Sequence, residues 1–293
     1  MLNGSILTIA TGVIWTLVAV IYSAVAGKQK NFTGFMFFYS VVFAVLIWLF
    51  QPPQTASAAE ISKVAYCIVP SALLGQLGFF ALYLAMKKGS HAVAWTFTQS
   101  AMVMPFLGSW IFFDSQVKWF NFAGLLLIVL ALCGLGKSKK DKSADEHKKF
   151  LSALIFSLTA LLLTGLSQFS SLLPGELGMS QEALSWRLPI NTVAGVVIWG
   201  TGALIVKAKT DRQIIKYGTV YGLVVAAGQV VLYMAIDALT PIEMVAIVYP
   251  AALSICIILF AVYCAIFRKE KLSKPVIASL VLLLSGVILL FRQ

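Results

Sequence analysis

Charge is what this sequence has least of. Only 11% of its 293 residues are Asp, Glu, Lys or Arg, and 60% are hydrophobic. A soluble domain is closer to about a quarter charged and about half apolar. The shortage excludes a water-soluble globule of ordinary composition. Histidine occurs twice, at His91 and His147, which excludes a histidine-rich metal centre. The four cysteines, Cys67, Cys133, Cys256 and Cys264, form no C-x-x-C pair and all fall in apolar runs, so neither a zinc site nor a disulfide framework is implied. No G-x-x-x-x-G-K-[ST] loop occurs, which removes nucleotide-driven work. The period-two alternation of a membrane barrel is missing too. No metal and no cofactor is expected.

What is present is long apolar blocks. A bilayer core takes about 20 apolar residues per helix. Ten such blocks lie near 5–26, 32–50, 64–86, 90–113, 119–136, 150–173, 182–206, 217–239, 241–267 and 275–291. In lipid the backbone must satisfy its own hydrogen bonds, so these spans are helical. The expected fold class is an all-α integral membrane protein of ten transmembrane helices. Ala24-Val25-Ala26 looks like a signal-peptidase site, but no basic residue precedes the first run, so it is read as a retained helix.

The formal charge of +11 is not a nucleic-acid signal, because of where it sits. Of 22 Lys and Arg, 18 fall in the connections after spans 1, 3, 5, 7 and 9. That asymmetry places the odd loops in the cytoplasm and both termini outside the inner or plasma membrane.

The one strongly charged stretch, 137–149, falls at the middle of the chain. It reads as a cytoplasmic linker between a first five-helix set, 1–136, and a second, 150–293. An odd number of spans turns the second set over, so similar sets are inverted repeats. "YLAMKKGSHAVAW" (83–95) aligns with "YMAIDALTPIEMV" (233–245), matching Tyr83 to Tyr233 and Ser90 to Thr240. "FDSQVKWFNFAGLLLIVLALCGL" (113–135) aligns with "KEKLSKPVIASLVLLLSGVILLF" (269–291), pairing Asp114 with Glu270.

Two such halves, the second ending in a carboxylate followed by a last apolar helix ("FRKEKLSKPVIASLVLLLSGVILL", 267–290), resemble the ten-helix EamA-type members of the drug/metabolite transporter superfamily. The resemblance covers the whole chain. It implies a secondary transporter with a central cavity lined by spans 1, 3, 4, 6, 8 and 9.

Those spans carry polar stripes at helical spacing, where residues four apart share a face. Tyr221, Gln229, Tyr233 and Asp237 lie on span 8; His91, Trp95 and Gln99 on span 4; Gln76 and Tyr83 on span 3; Thr164, Ser167, Gln168 and Ser171 on span 6; Thr8, Thr11, Trp15 and Tyr22 on span 1. A polar group in hydrocarbon is tolerated when it faces protein or a water-filled cavity. Trp15, Gln76, Tyr83, Trp95, Gln99, Gln168, Gln229 and Tyr233 are therefore candidate solute-binding residues. His91, Arg187, Asp237 and Glu243 are candidate coupling or gating groups. Pro105 and Pro250 are candidate hinges, and Pro189 is expected to bend span 7. Plainer roles stand beside these: helix–helix hydrogen bonds for the glutamines, pairing with Glu176, Glu182 or Asp237 for Arg187, and a capping box with Thr240 for Glu243.

Deep Lys and Arg are absent, which disfavours a phosphorylated solute. Amides and phenols suit a neutral or zwitterionic metabolite such as an amino acid, nucleoside or sugar, moved on a proton, sodium or solute gradient. An organic cation held by Trp15, Trp95, Tyr83 and Tyr233 is an alternative. A lipid-modifying membrane enzyme is a second, but His91 and Asp114 lie in the half opposite to Asp237 and Glu243. Partners are expected to be the solute and the bilayer, not nucleic acid, with the protein a monomer or homodimer.

Overall fold

A computed structural model describes residues 2–28, 31–113, 118–136, 144–209, 211–239, 248–271 and 273–290. The described residues are helical and include no strand. In chain order the elements are α1 (Leu2–Lys28), α2 (Phe32–Phe50), α3 (Ala58–Lys88), α4 (His91–Gln99), a 3₁₀ turn (Ser100–Met102), α5 (Val103–Phe112), α6 (Trp119–Gly136), α7 (Ala144–Glu176), α8 (Gln181–Leu184), α9 (Arg187–Ile205), α10 (Arg212–Leu239), α11 (Val248–Ile266) and α12 (Lys274–Leu290). Among the described residues, six stretches are long and apolar enough to cross a membrane: Asn3–Gly27, Phe32–Phe50, Ala58–Lys88, His147–Glu176, Gln181–Ile205 and Arg212–Leu232. Shorter apolar helices cover Trp119–Gly134, Ala251–Ile266 and Lys274–Leu289. The protein is a multi-pass helical membrane protein.

Helix starts follow local capping chemistry. The Asn31 side chain accepts from Gly34 N–H at 2.9 Å to open α2, and Ser57 with Glu60 forms a capping box on α3. Ser90 Oγ accepts from Val93 N–H at 3.3 Å, so Ser90 caps α4. Asp211 accepts from Ile214 N–H at 2.7 Å at the start of α10.

Two expected spans are not single helices. The fourth is α4 and α5 joined by the 3₁₀ turn. Pro105 explains the break: it has no N–H to give the Ala101 carbonyl one turn earlier, and its ring crowds that turn. The seventh is α8 and α9, interrupted at Ser185–Trp186. Pro189 acts there as Pro105 does: it has no N–H for the Ser185 carbonyl one turn earlier, and the interruption falls at that residue. α7 reaches back to Ala144, so the last residues of the expected linker are helical.

The helices pack as a set of close pairs: α3 along α7, α6 along α12, α1 against α10 and α11, α2 against α10 and α9, and α3 also against α9. The α3–α7 seam is the tightest in character. Ser71 Oγ donates to the Ser167 carbonyl at 2.7 Å. A Cβ on Gly78 would sit 2.6 Å from Thr164 Oγ1, so only glycine permits this approach.

The largest apolar cluster fills one end of the bundle, the end bearing the loops after α1, α3 and α11. Tyr22, Phe35, Tyr221 and Phe260 are all 2% exposed or less there. Tyr22 donates its hydroxyl to the Phe79 carbonyl, and its ring lies 6.0 Å from Tyr221 and 6.4 Å from Trp95. Aromatic rings from α1, α2, α3, α4, α10 and α11 thus form a plug across that end.

Candidate functional site

The inner face of α4 shows how the stripe residues are placed. His91 and Trp95 are 5% and 3% exposed, while Gln99, one turn further along the same face, is half-buried. α1 behaves alike: Tyr22 is fully buried and Trp15, two turns away, is half-buried. On α10, Tyr221 is sealed and Gln229, two turns on, is half-buried. On α7 the residues Thr164, Ser167, Gln168 and Ser171 are all half-buried. Along these three faces the residue at the plug is thus buried and the next along the stripe half-buried, and on α1 the stripe is buried again beyond Trp15, at Thr11 and Thr8, 0% and 4% exposed.

The stripe residues do not all meet. Gln76 is 7% exposed, and its Oε1 accepts from Trp199 Nε1 at 2.6 Å, which places it in the seam between α3 and α9. A Cβ on Gly195 would meet Gln76 Nε2 at 3.3 Å and Ser40 Oγ at 3.5 Å, so α2 closes the same seam. Tyr83 stacks on Phe32 at 4.2 Å, with Lys87 Nζ 5.7 Å from its ring. Trp95 packs on Phe260 at 5.5 Å, and its indole N–H is buried beside the Cys256 thiol of α11. Trp15 lies over Gly228, where a Cβ would come within 3.0 Å of its ring. Tyr233, Asp237 and Pro250 have described backbones within α10 and α11, but their side chains lie outside the described residues. Glu243 and Thr240, and with them the expected capping box, also lie outside.

Arg187 begins α9. Its guanidinium lies over Gly175 of α7, where a Cβ would sit 2.7 Å from Nη2. Close by, Glu60, Lys63, Tyr66, Cys67 and the turn from Leu177 to Ser180 line an open cleft of about 490 Å³ at the end of the bundle away from the plug. Ser180 Oγ donates to Glu60 Oε1 at 2.9 Å across it.

His91 lies in a polar network that its sequence neighbours do not reveal. Its Nδ1 is 3.0 Å from Ser23 Oγ of α1, and its Nε2 is 2.9 Å from Arg268 Nη2. Arg268 Nη1 also donates to the Ser23 carbonyl at 3.3 Å. Glu270 accepts at the start of α4 from Ser90 Oγ at 2.5 Å and from the His91 N–H at 3.0 Å, with Ala92 N–H at 3.4 Å. Arg268 Nε stands 3.8 Å from Glu270 Oε1. A carboxylate at a helix N-terminus is favourable, because unpaired N–H groups and the helix dipole converge there. Arg268 and Glu270 were legible only as loop charge. The sequence signals for Glu270 are its alignment with Asp114 across the two halves and its place before the last apolar helix.

No protein-family model matches this chain, and no curated protein matches it. Among solved structures, one described only as "Crystal structure of protein" superposes with a TM-score of 0.58, covering 98% of this chain and 96% of that chain at 10% sequence identity. The likeness is one of fold, and it runs through nearly the full length of both chains.

Proposed function

We propose that this chain is a secondary transporter of a small neutral or zwitterionic metabolite, working by alternating access between two inverted five-helix repeats. The observation that carries the reading is the change in exposure along α1, α4 and α10. Each stripe passes from a sealed residue at the plugged end to a half-buried one deeper in, at Trp15, Gln99 and Gln229, before α1 is buried again at Thr11 and Thr8. Gln99, Gln168, Gln229 and Trp15 are the half-buried groups along it, and they suit hydroxyls, amides or a planar ring.

The helix pairing supports the repeat. Taking α4 with α5 as span 4 and α8 with α9 as span 7, adding or subtracting five converts most of the pairs into one another, α1–α3 and α11–α12 excepted. The pair α1–α10 becomes α7–α3, α2–α10 becomes α9–α3, and α1–α11 becomes α7 with α4 and α5. The pairs α6–α12, α2–α9 and α4–α11 return to themselves. That pattern, the sequence alignment of the halves and the resemblance to EamA-type transporters agree. The basic loops place the plugged end in the cytoplasm, so this conformation is closed inward.

Uptake into proteoliposomes under an imposed pH or counter-solute gradient tests the proposal. Gln99→Leu and Gln229→Leu should abolish uptake while the proteins still insert and fold. Normal transport by both variants would remove the assigned pathway.

A further inference from the structure

We propose that His91 is the proton-binding group that opens the plugged end, and that a proton and the Arg268 guanidinium compete for the same nitrogen. The proposal rests on the alternating-access reading and names its coupling ion.

The first support is donor–acceptor logic. Arg268 carries only donors, so the 2.9 Å contact from Nη2 makes His91 Nε2 an acceptor. The imidazole is then neutral, with its proton on Nδ1 donated to Ser23 Oγ. A proton arriving at Nε2 turns that acceptor into a donor facing a donor, and it sets two cations in contact. The guanidinium must leave. Glu270 is already 3.8 Å from Arg268 Nε and is the group positioned to receive it.

The second support is placement. Ser23 and His91 belong to the first half and Arg268 and Glu270 to the second, so the network ties the two halves together. Gly27, one turn after Ser23, leaves the space the guanidinium occupies; a Cβ there would come within 2.9 Å of Nη2. The chain adopts a left-handed conformation at Lys269, φ 55°, which directs Arg268 and Glu270 back toward α4. A non-glycine residue held there is strained, and such strain collects at clamps and switches.

The charged and titratable groups around His91 can be named element by element. From α11 and the turn after it come Cys264, Arg268 and Glu270. α1 contributes the uncharged Ser23. In the last turn of α3, Lys88 is turned away to Ser152 Oγ at 2.8 Å, and Lys87 lies by the Tyr83 ring. α7, packed along α4, carries Asp145, His147, Lys148 and Lys149 exposed in its first turns, so Arg268 and Glu270 are the charges nearest the imidazole.

The chain has two histidines, which makes the test direct. Imidazole ¹⁵N spectra of the full chain in nanodiscs resolve His91, with His147 of the charged segment as internal reference. At neutral pH His91 should be the Nδ1–H tautomer, and on acidification it should take a second proton. Spin labels at Lys87→Cys and Lys271→Cys, with the four native cysteines replaced by alanine, should separate over the same pH interval. His91→Gln still bridges Ser23 and Arg268 but cannot titrate, so its label distance should not change with pH. Arg268→Gln should let His91 take its proton at a higher pH than the parent. An Nε2–H tautomer at neutral pH, or pH-dependent separation that persists in His91→Gln, overturns the proposal. Because no solute is present, the readout is separate from transport. A titrating latch in a chain that moves no solute would count against the transporter reading alone. Solute uptake without any titration at His91 would count against the latch alone.

Discussion

Replacing Glu270 with alanine should shift the folded protein toward the form open at the plugged end by about a hundredfold. The size follows from what the carboxylate holds. It accepts from Ser90 Oγ at 2.5 Å and from His91 N–H at 3.0 Å, and hydrogen bonds to a charged group contribute roughly 1.5–3 kcal/mol each. The Ala92 contact is long, and the Arg268 pair is partly screened, with side chains 24% and 15% exposed, so both add little. Water entering the vacated space recovers part of the loss. The net is about 3 kcal/mol, which corresponds to about a hundredfold in an equilibrium. Cys264 supplies the assay. It is fully buried, and its carbonyl accepts from Glu270 N–H at 3.0 Å, so it lies directly beneath the network. In a chain whose other three cysteines are alanine, a membrane-permeant maleimide should alkylate Cys264 about a hundred times faster in Glu270→Ala. Glu270→Gln keeps an acceptor oxygen and should fall between. If Cys264 stays as protected as in the parent while the protein remains folded, the network does not hold this end shut.

Two further outcomes are expected. Gln76→Leu should lower thermal stability by about 1–3 kcal/mol, because Trp199 Nε1 loses its acceptor, and adding Trp199→Phe should recover most of the loss. Equal melting of the single and double variants would show that the bond carries no weight. By the alignment of the halves, Asp114 and Thr240 are the counterparts of Glu270 and Ser90, so an Asp114→Cys, Thr240→Cys pair should form a disulfide faster when Glu270→Ala is also present. A rate indifferent to Glu270 would argue against reciprocal closure of the two ends.

The span boundaries were largely readable, because an apolar run between charged or Gly/Pro-bearing turns leaves the backbone one solution in lipid. The edges of α2 and α6 match the expected limits. Pro105 signalled the break in span 4, since a missing N–H acts locally. Pro189 signalled the interruption at Ser185–Trp186 in the same way, and tertiary contacts hold it, with Trp186 Nε1 donating to the Gln54 carbonyl at 2.8 Å and Ser185 Oγ accepting from Gln54 N–H at 2.8 Å. Helical spacing showed that Gln76 and Gln99 each lie on a polar face, but not that one is taken up by Trp199 while the other is half-buried. Spacing fixes a direction around an axis; only packing decides what stands opposite. For the same reason His91 was legible as a titratable group while its partners, far along the chain, were not.

α7 has a consequence for how the halves are joined. At 33 residues it is about 50 Å long, against a hydrocarbon thickness of about 30 Å. Its first turns, with Asp145, His147, Lys148 and Lys149 on the surface, therefore rise clear of the lipid as a stiff post. A fluorescent domain spliced immediately before Ala144 would ride on that post and report rocking of the second half as rotation. The same domain carried on a glycine-rich spacer would tumble independently and report nothing.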